Sequence, residues 1–191
     1  MAAALKTDPK TLPAPAPVRQ LHHYAYRAKD AEETRHFYED ILGLPLVHII
    51  KADYVPSTKQ HCPYVHLFFQ MGDGSCVAFF DLGDDLAPDP SPNTPSWVNH
   101  MALRMNSVEE VEQAKARLEA HGIPVVGITD HHFIKSIYFF DPNGYRLELT
   151  HEIGPASYVE KAKKEAHGRL KAWNEEKAKI RAARQIKEAA E

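Results

Sequence analysis

Cysteine is scarce in this chain: two residues, Cys62 and Cys76, among 191. Both lie in strand-like or pre-strand sequence without C-x-x-C spacing, which excludes a disulfide framework and a thiolate zinc site as organising features. Long apolar runs are also missing. No stretch approaches the roughly 18 consecutive apolar residues that a bilayer span requires, so no membrane association is expected. Neither sign of charge dominates, with 23 basic and 26 acidic residues and a formal charge of −3. A chain so balanced has little electrostatic pull toward nucleic acid. The opening segment MAAALKTDPKTLPAPAPVRQ is rich in proline and has no apolar stretch of signal-peptide type. It reads as a flexible leader over residues 1–17 ahead of a cytoplasmic domain. Histidine, by contrast, is plentiful: twelve residues, an excess that points to a site.

The sequence contains an internal repeat, and the repeat organises everything else. HYAYRAKDAEETRHFYEDILGLPLV begins at His23, and HMALRMNSVEEVEQAKARLEAHGIPVV begins at His100. Each opens with H-x-A-x-R, a strand whose alternating side chains put the His, Ala and Arg on one face. Each then reaches a helix start, Asp30 with Glu33 in the first copy and Ser107 with Glu110 in the second, in capping-box spacing. The helices are expected to end at Gly43 and Gly122, where glycine accepts the left-handed conformation. Three strand-like runs follow in each copy: LVHII, YVHLFFQMGDG and SCVAFFDL, then PVVGITD, SIYFFDPNG and YRLELTH. DPNG at 141–144 is a hairpin turn signal, and MGDG at 71–74 holds the equivalent place. The expected modules are 18–82 and 97–152, each β-α-β-β-β, joined by the proline-rich DLAPDPSPNTPSW. The segments 52–64 and 82–98 show no readable pattern and are expected as loops.

Register separates the adjacent histidines. Aligning H-x-A-x-R sets His23 opposite His100, while His22 falls opposite Asn99 and is expected on the other face. A carboxylate candidate comes from the last strand, where Glu148 stands between Leu147 and Leu149 and shares a face with Arg146 and Thr150. A carboxylate in an apolar strand is costly unless paired or metal-bound; Arg146 is the pairing alternative. The first copy has Ala78 at the matching position, and Asp81, three residues on, faces the other way.

The duplicated pattern, with FYEDILGL, YFFDPNGYRLEL and a histidine opening each module, resembles the vicinal oxygen chelate superfamily of glyoxalases, bleomycin-resistance-type binders and extradiol ring-cleaving dioxygenases. The resemblance covers about 135 of the 191 residues. It implies an α+β fold in which two βαβββ modules form a half-open mixed β-barrel around one divalent metal. Mapped onto this sequence, the ligands it implies are His23, His100 and Glu148, with Ala78 unable to supply a fourth. Glyoxalase-type members generally use four protein ligands, whereas two histidines and one carboxylate are similar to the extradiol dioxygenases. Those hold Fe(II), or occasionally Mn(II) or another divalent ion. Three ligands leave about three positions of an octahedral ion for the adjacent oxygens of a catechol and for dioxygen.

The ten-residue spacing from Tyr138 to Glu148 is similar to a Tyr–Glu pair of that branch, and DHHFIKSIYFFDPNG looks like its DH…Y..DP.G run. This implies Tyr138 and His131 as catalytic groups, His131 being a candidate acid/base. His132, beside it, and His66, on the inward face of YVHLFF, are expected to contact an aromatic substrate. The resemblance also fails at one point: no histidine precedes His100 where larger extradiol enzymes carry an acid/base, so His66 or His131 must move the protons. A metal-dependent lyase or isomerase, and a metal-free drug-binding resistance-type module, are the alternative readings. Beyond Pro155, Ala, Lys, Glu and Arg predict a helix over 155–191. Val159, Ala162, Ala166, Leu170 and Trp173 form its one apolar stripe, free to lie on its own domain or against a second copy in a homo-oligomer.

Overall fold

The computed structural model describes residues 16–188, so the leader over 1–17 lies outside them except at its last two positions. The chain divides into two compact units, Met1–Pro88 and Asp89–Glu191. In the first, β1 (His23–Ala28) leads into α1 (Ala31–Arg35), which continues as a π-helical turn over His36–Ile41. Then come β2 (Leu46–Tyr54), β3 (His61–Gln70) and β4 (Cys76–Asp81). The second repeats the order with β5 (Met101–Arg104), α2 (Val108–Ala120), β6 (Val126–Asp130), β7 (Ile134–Phe140) and β8 (Arg146–Glu152), and adds α3 (Ala156–Glu188). The expected α+β architecture of two βαβββ modules is therefore present. Each unit carries one four-stranded mixed sheet, ordered β1-β4-β3-β2 and β5-β8-β7-β6, and neither sheet closes into a barrel.

Both helix starts form as the sequence predicts. The Glu33 amide donates to Asp30 Oδ1 at 2.6 Å, and the Glu110 amide donates to Ser107 Oγ at 3.1 Å. These caps satisfy amides that the helix itself leaves without acceptors. Asp81 faces the helix side, as alternation requires, and accepts the Ala31 amide at 2.8 Å. Gly43 and Gly122 end the helices at φ +80° and +75°. The DPNG turn closes between the Asp141 amide and the Tyr145 carbonyl at 3.0 Å, and Asp141 Oδ1 accepts the Asn143 and Tyr145 amides.

Alternation divides each sheet into two faces. In the first unit Leu67, Phe69, Val77 and Phe79 are all but fully buried on the helix side, where Tyr38 stacks on Phe69 and Phe79. In the second, Ile137, Phe139, Leu147 and Leu149 form the corresponding layer with Val111 and Leu118 of α2. The opposite faces carry the candidate site residues.

One expectation needs correcting. The segment 52–64 is not a loop, because β2 extends to Tyr54 and β3 starts at His61. These strand ends are largely exposed, so their side chains lack the apolar alternation that marks a half-buried strand. The helix of the tail, expected over 155–191, spans Ala156–Glu188 and runs through Gly168 without a break. Its start is anchored by Tyr158 stacking on Phe133, ring centroids 4.9 Å apart, while Leu170, Trp173 and Ile180 are exposed. Among the described residues no helix is long and apolar enough to cross a membrane.

Candidate functional site

The last strand of the second unit organises the chemistry. Glu148 lies on β8 directly across from Tyr138 of β7 and beside Ala102 of β5, and it is 4% exposed. Its two oxygens are both engaged. Tyr138 donates its hydroxyl to Oε1 at 3.1 Å, and His100 Nε2 stands 3.1 Å from Oε2. His131, in the turn before β7, places Nε2 2.8 Å from the same Tyr138 oxygen. The phenol has one proton and gives it to the carboxylate, so His131 Nε2–H is the donor in that contact. A continuous line results: His131 to Tyr138 to Glu148 to His100. Burial first, and then the negative charge of Glu148, push the Tyr138 hydroxyl above the usual phenol range. Tyr138 therefore remains a protonated donor at neutral pH.

His100 precedes β5 rather than opening it, and its Nδ1 lies 3.0 Å from the Val98 carbonyl. A carbonyl only accepts, so Nδ1 carries the proton. In a neutral ring Nε2 then presents a lone pair to a carboxylate oxygen at 3.1 Å. Two electron-rich atoms at that range repel unless a proton or a metal cation lies between them. An imidazole nitrogen and a carboxylate oxygen converge here, with the far imidazole nitrogen fixed by a backbone carbonyl. This donor set suits a divalent ion.

Arg146 does not pair with Glu148. Its guanidinium carbon stands 4.4 Å from the Tyr138 ring centroid. His132 is exposed in a left-handed conformation at φ 71°, its amide donating to Asp130 Oδ1 at 2.7 Å. The hydrogen-bonded line does not include it.

In the first unit, His23 and His66 share the face opposite the helix with Phe68, Ala78 and Phe80. The His23 and His66 ring centroids are 5.8 Å apart, and His66 stacks on Phe80 at 3.7 Å. His66 is 7% exposed, and its Nε2 has no hydrogen-bond partner among the described residues. Burial, reinforced by the nearby His23 and His48 rings, lowers its pKa to about 4, so it is neutral. His22 corrects the register reading: β1 begins at His23, strand alternation does not reach back to His22, and the two Nδ1 atoms meet at 2.7 Å. Within either unit, the described residues form no group of three His, Cys, Asp or Glu side chains arranged for a metal. The structure brings His100 to Glu148 and His23 to His66. The sequence reading missed the Val98 carbonyl, the His22 contact and the Arg146 stack; only the last had a signal, since Arg146 shares a strand face with Glu148.

The family model described as Glyoxalase/Bleomycin resistance protein/Dioxygenase superfamily matches residues 20–149. The protein YaeR of Escherichia coli (strain K12) is 30% identical over 136 residues, which span 69% of this chain and 95% of that protein. Two solved structures share the fold. Trypanothione-dependent glyoxalase I of Leishmania major superposes with a TM-score of 0.55 at 20% identity, over 81% of this chain and 99% of its own. A mutant of the fosfomycin resistance protein FosX of Listeria monocytogenes, complexed with Mn(II) and 1S,2S-dihydroxypropylphosphonic acid, gives 0.53 at 20% identity, over 75% and 98%. The repeated β-α-β-β-β units and the matched span together make this chain a member of the glyoxalase/bleomycin resistance/dioxygenase superfamily.

Proposed function

We propose that the chain is a divalent-metal enzyme that holds Fe(II) with His23, His100 and Glu148 and opens the ring of a catecholic substrate with dioxygen. The observation that carries this reading is the line from His131 through Tyr138 to Glu148 and His100. When bound, the ion would supply a Lewis acid for two adjacent substrate oxygens and a redox-active centre through which the substrate's own electrons reach dioxygen. The chain's own residues have three tasks. Glu148 and His100 present a carboxylate oxygen and an imidazole nitrogen from one sheet face, oriented by Tyr138 and by the Val98 carbonyl. Once the Glu148 carboxylate is committed to the ion, Tyr138 turns its one hydroxyl proton from Oε1 to the oxygen of a seated substrate. His131 holds or returns a proton at Nε2 across the Tyr138 hydroxyl, which accepts from one neighbour while donating to the other. Ring opening needs such a group, because a catechol sheds protons on binding and its product takes one back.

The test combines metal analysis with oxygen uptake. Protein purified without chelator should retain about one ion per chain, and with Fe(II) it should consume oxygen and form a yellow ring-opened product from a simple catechol. Tyr138→Phe should keep the ion and lose on the order of a hundredfold in kcat, within the range of a lost acid–base group. Turnover of a carbonyl substrate without oxygen uptake would assign a lyase or isomerase instead. Ligand binding without ion retention would assign a resistance-type binder.

A further inference from the structure

Arg146 is a charged group on this face that the scheme above leaves unused; Arg104 and Glu152, on the same face, pair with each other. It sits two residues before Glu148 on β8, and successive same-face residues of a strand stand roughly 6.5–7 Å apart. Its register partner on β7 is Phe140. The expected Arg146–Glu148 pair is absent because Tyr138 and His100 take the carboxylate oxygens. Among the described residues no hydrogen bond or ion pair engages the Arg146 guanidinium; it lies partly buried over the Tyr138 ring. A guanidinium carries five donors in a planar fork suited to carboxylate or another oxyanion, and here none of them meets a protein acceptor. Beside it the same face exposes apolar surface: Phe140 is 48% exposed, and Val126, across from Tyr138, is 65% exposed.

We propose that Arg146 anchors an anionic group of the substrate, a carboxylate or similar oxyanion, on an apolar body that reaches from Arg146 to the oxygens held beside Glu148. The proposal deepens the reading above and rests on it for the location of the reacting end. Charge supports it. A divalent ion held by one carboxylate and neutral imidazoles leaves a single positive charge, and Arg146 adds a second about 7 Å along the strand. A ligand with negative charge at both ends satisfies that pattern better than a neutral catechol does.

The test uses charged and neutral isosteres. 3,4-Dihydroxybenzoate and 3,4-dihydroxybenzamide are titrated anaerobically into the metal-loaded protein by calorimetry, alongside benzoate and benzamide, which lack the two hydroxyls. Wild type should bind the acid of a pair at least tenfold more tightly than the amide. Arg146→Gln should bring the two within about threefold, and Arg146→Lys should fall between. A purely structural Arg146, stacked on Tyr138 for packing alone, would not move this ratio. Equal binding of acid and amide in both pairs, or a preference that survives in Arg146→Gln, overturns the proposal. Aerobic oxygen uptake with the dihydroxy pair separates the two readings. If ring opening is the wrong reaction, neither compound consumes oxygen while the charge preference persists in binding. If Arg146 has no anchoring role, both are opened with equal kcat/KM.

Discussion

At one row of the first sheet Ala25, Ala78 and Phe68 stand side by side across β1, β4 and β3; at the same row of the second stand Ala102, Glu148 and Tyr138. The backbones and registers match, and the small residue on the first strand is alanine in both. Where the first unit has a methyl group and a phenyl ring, the second has a carboxylate and a phenol. One carboxylate and one hydroxyl thus convert an unreactive patch into a hydrogen-bonded line. The difference also reverses two residues along: Ser136 donates to Thr150 Oγ1 at 2.9 Å, whereas His66, at the equivalent place, faces Phe80 with an unpartnered nitrogen. A duplicated fold has kept its frame and divided its chemistry, with a carboxylate and a phenol linked to imidazoles in one copy and imidazoles beside phenyl rings in the other.

The largest effect should come from moving the carboxylate. Glu148→Gln or His100→Ala should weaken metal affinity by more than a hundredfold, beyond the 10–100-fold typical of outer-shell partners. Ala78→Glu puts a carboxylate at the matching point of the first unit, where Ala78 is fully buried. Without metal that buried charge should lower the melting temperature. With metal the melting temperature should recover, as ligand linkage requires, and ring opening should slow because an open coordination position is filled. Competition titration with a coloured chelator and thermal melts read both. A melting temperature of Ala78→Glu that ignores added metal would mean that the first sheet's face does not serve the ion.

Much of this arrangement was legible before any coordinates. The repeat showed because capping residues, helix-ending glycines and hairpin turns punctuate both copies in one order, each for a local steric or hydrogen-bonding reason. Glu148 showed because a charge between two leucines in a strand must face away from them. Arg146 was half legible: alternation puts it on the face of Glu148, but a long side chain on that face can reach either the carboxylate or the Tyr138 ring, and only packing decides. The outer ends of β2 and β3 were illegible because largely exposed strands have no apolar period to read. His22 misled because alternation applies inside a strand, and the strand starts one residue later. The tail's apolar stripe at three- and four-residue steps was legible as helix, and the exposure of Trp173 and Leu170 shows that a stripe alone does not name what it packs against.

The His66–Ser136 difference should appear as pH-dependent stability. His66 has a folded-state pKa of about 4 against an ordinary 6.5, through burial and its neighbours His23 and His48. Between those values the unfolded chain binds more protons than the folded one, so stability rises with pH there. The contribution of neutral His66 is complete above about pH 6.5 and is lost as pH falls toward 4. At about 1.36 kcal/mol per pKa unit the full loss is about 3 kcal/mol. Denaturant melts of metal-free protein at pH 7 and pH 4.5 should show wild type losing more stability than His66→Phe, which keeps the stack on Phe80. Carboxylates titrate alike in both proteins and cancel in the comparison. Identical losses would mean that His66 gains access to water or a partner as the pH drops.

The smallest effect should separate the two ways in which an imidazole is held. His100 Nδ1 is fixed by the Val98 carbonyl at 3.0 Å, a backbone group that no substitution removes, whereas His23 Nδ1 is held at 2.7 Å by the ring of His22. In the second contact one nitrogen must donate and the other accept, so the ring that carries the Nδ1 proton decides whether His23 presents a lone pair or a proton at Nε2. A ring nitrogen that carries a proton cannot bind a metal. In the proposed metal site His23 would therefore depend on its neighbour's tautomer in a way that His100 does not. His22→Ala should weaken metal affinity less than tenfold at neutral pH, since water can replace the lost acceptor. His23→Ala should lose far more at every pH. Equal losses for His22→Ala and His23→Ala would place the metal on both rings or on neither, and the pairing of His23 with His100 across the repeat would fail with it.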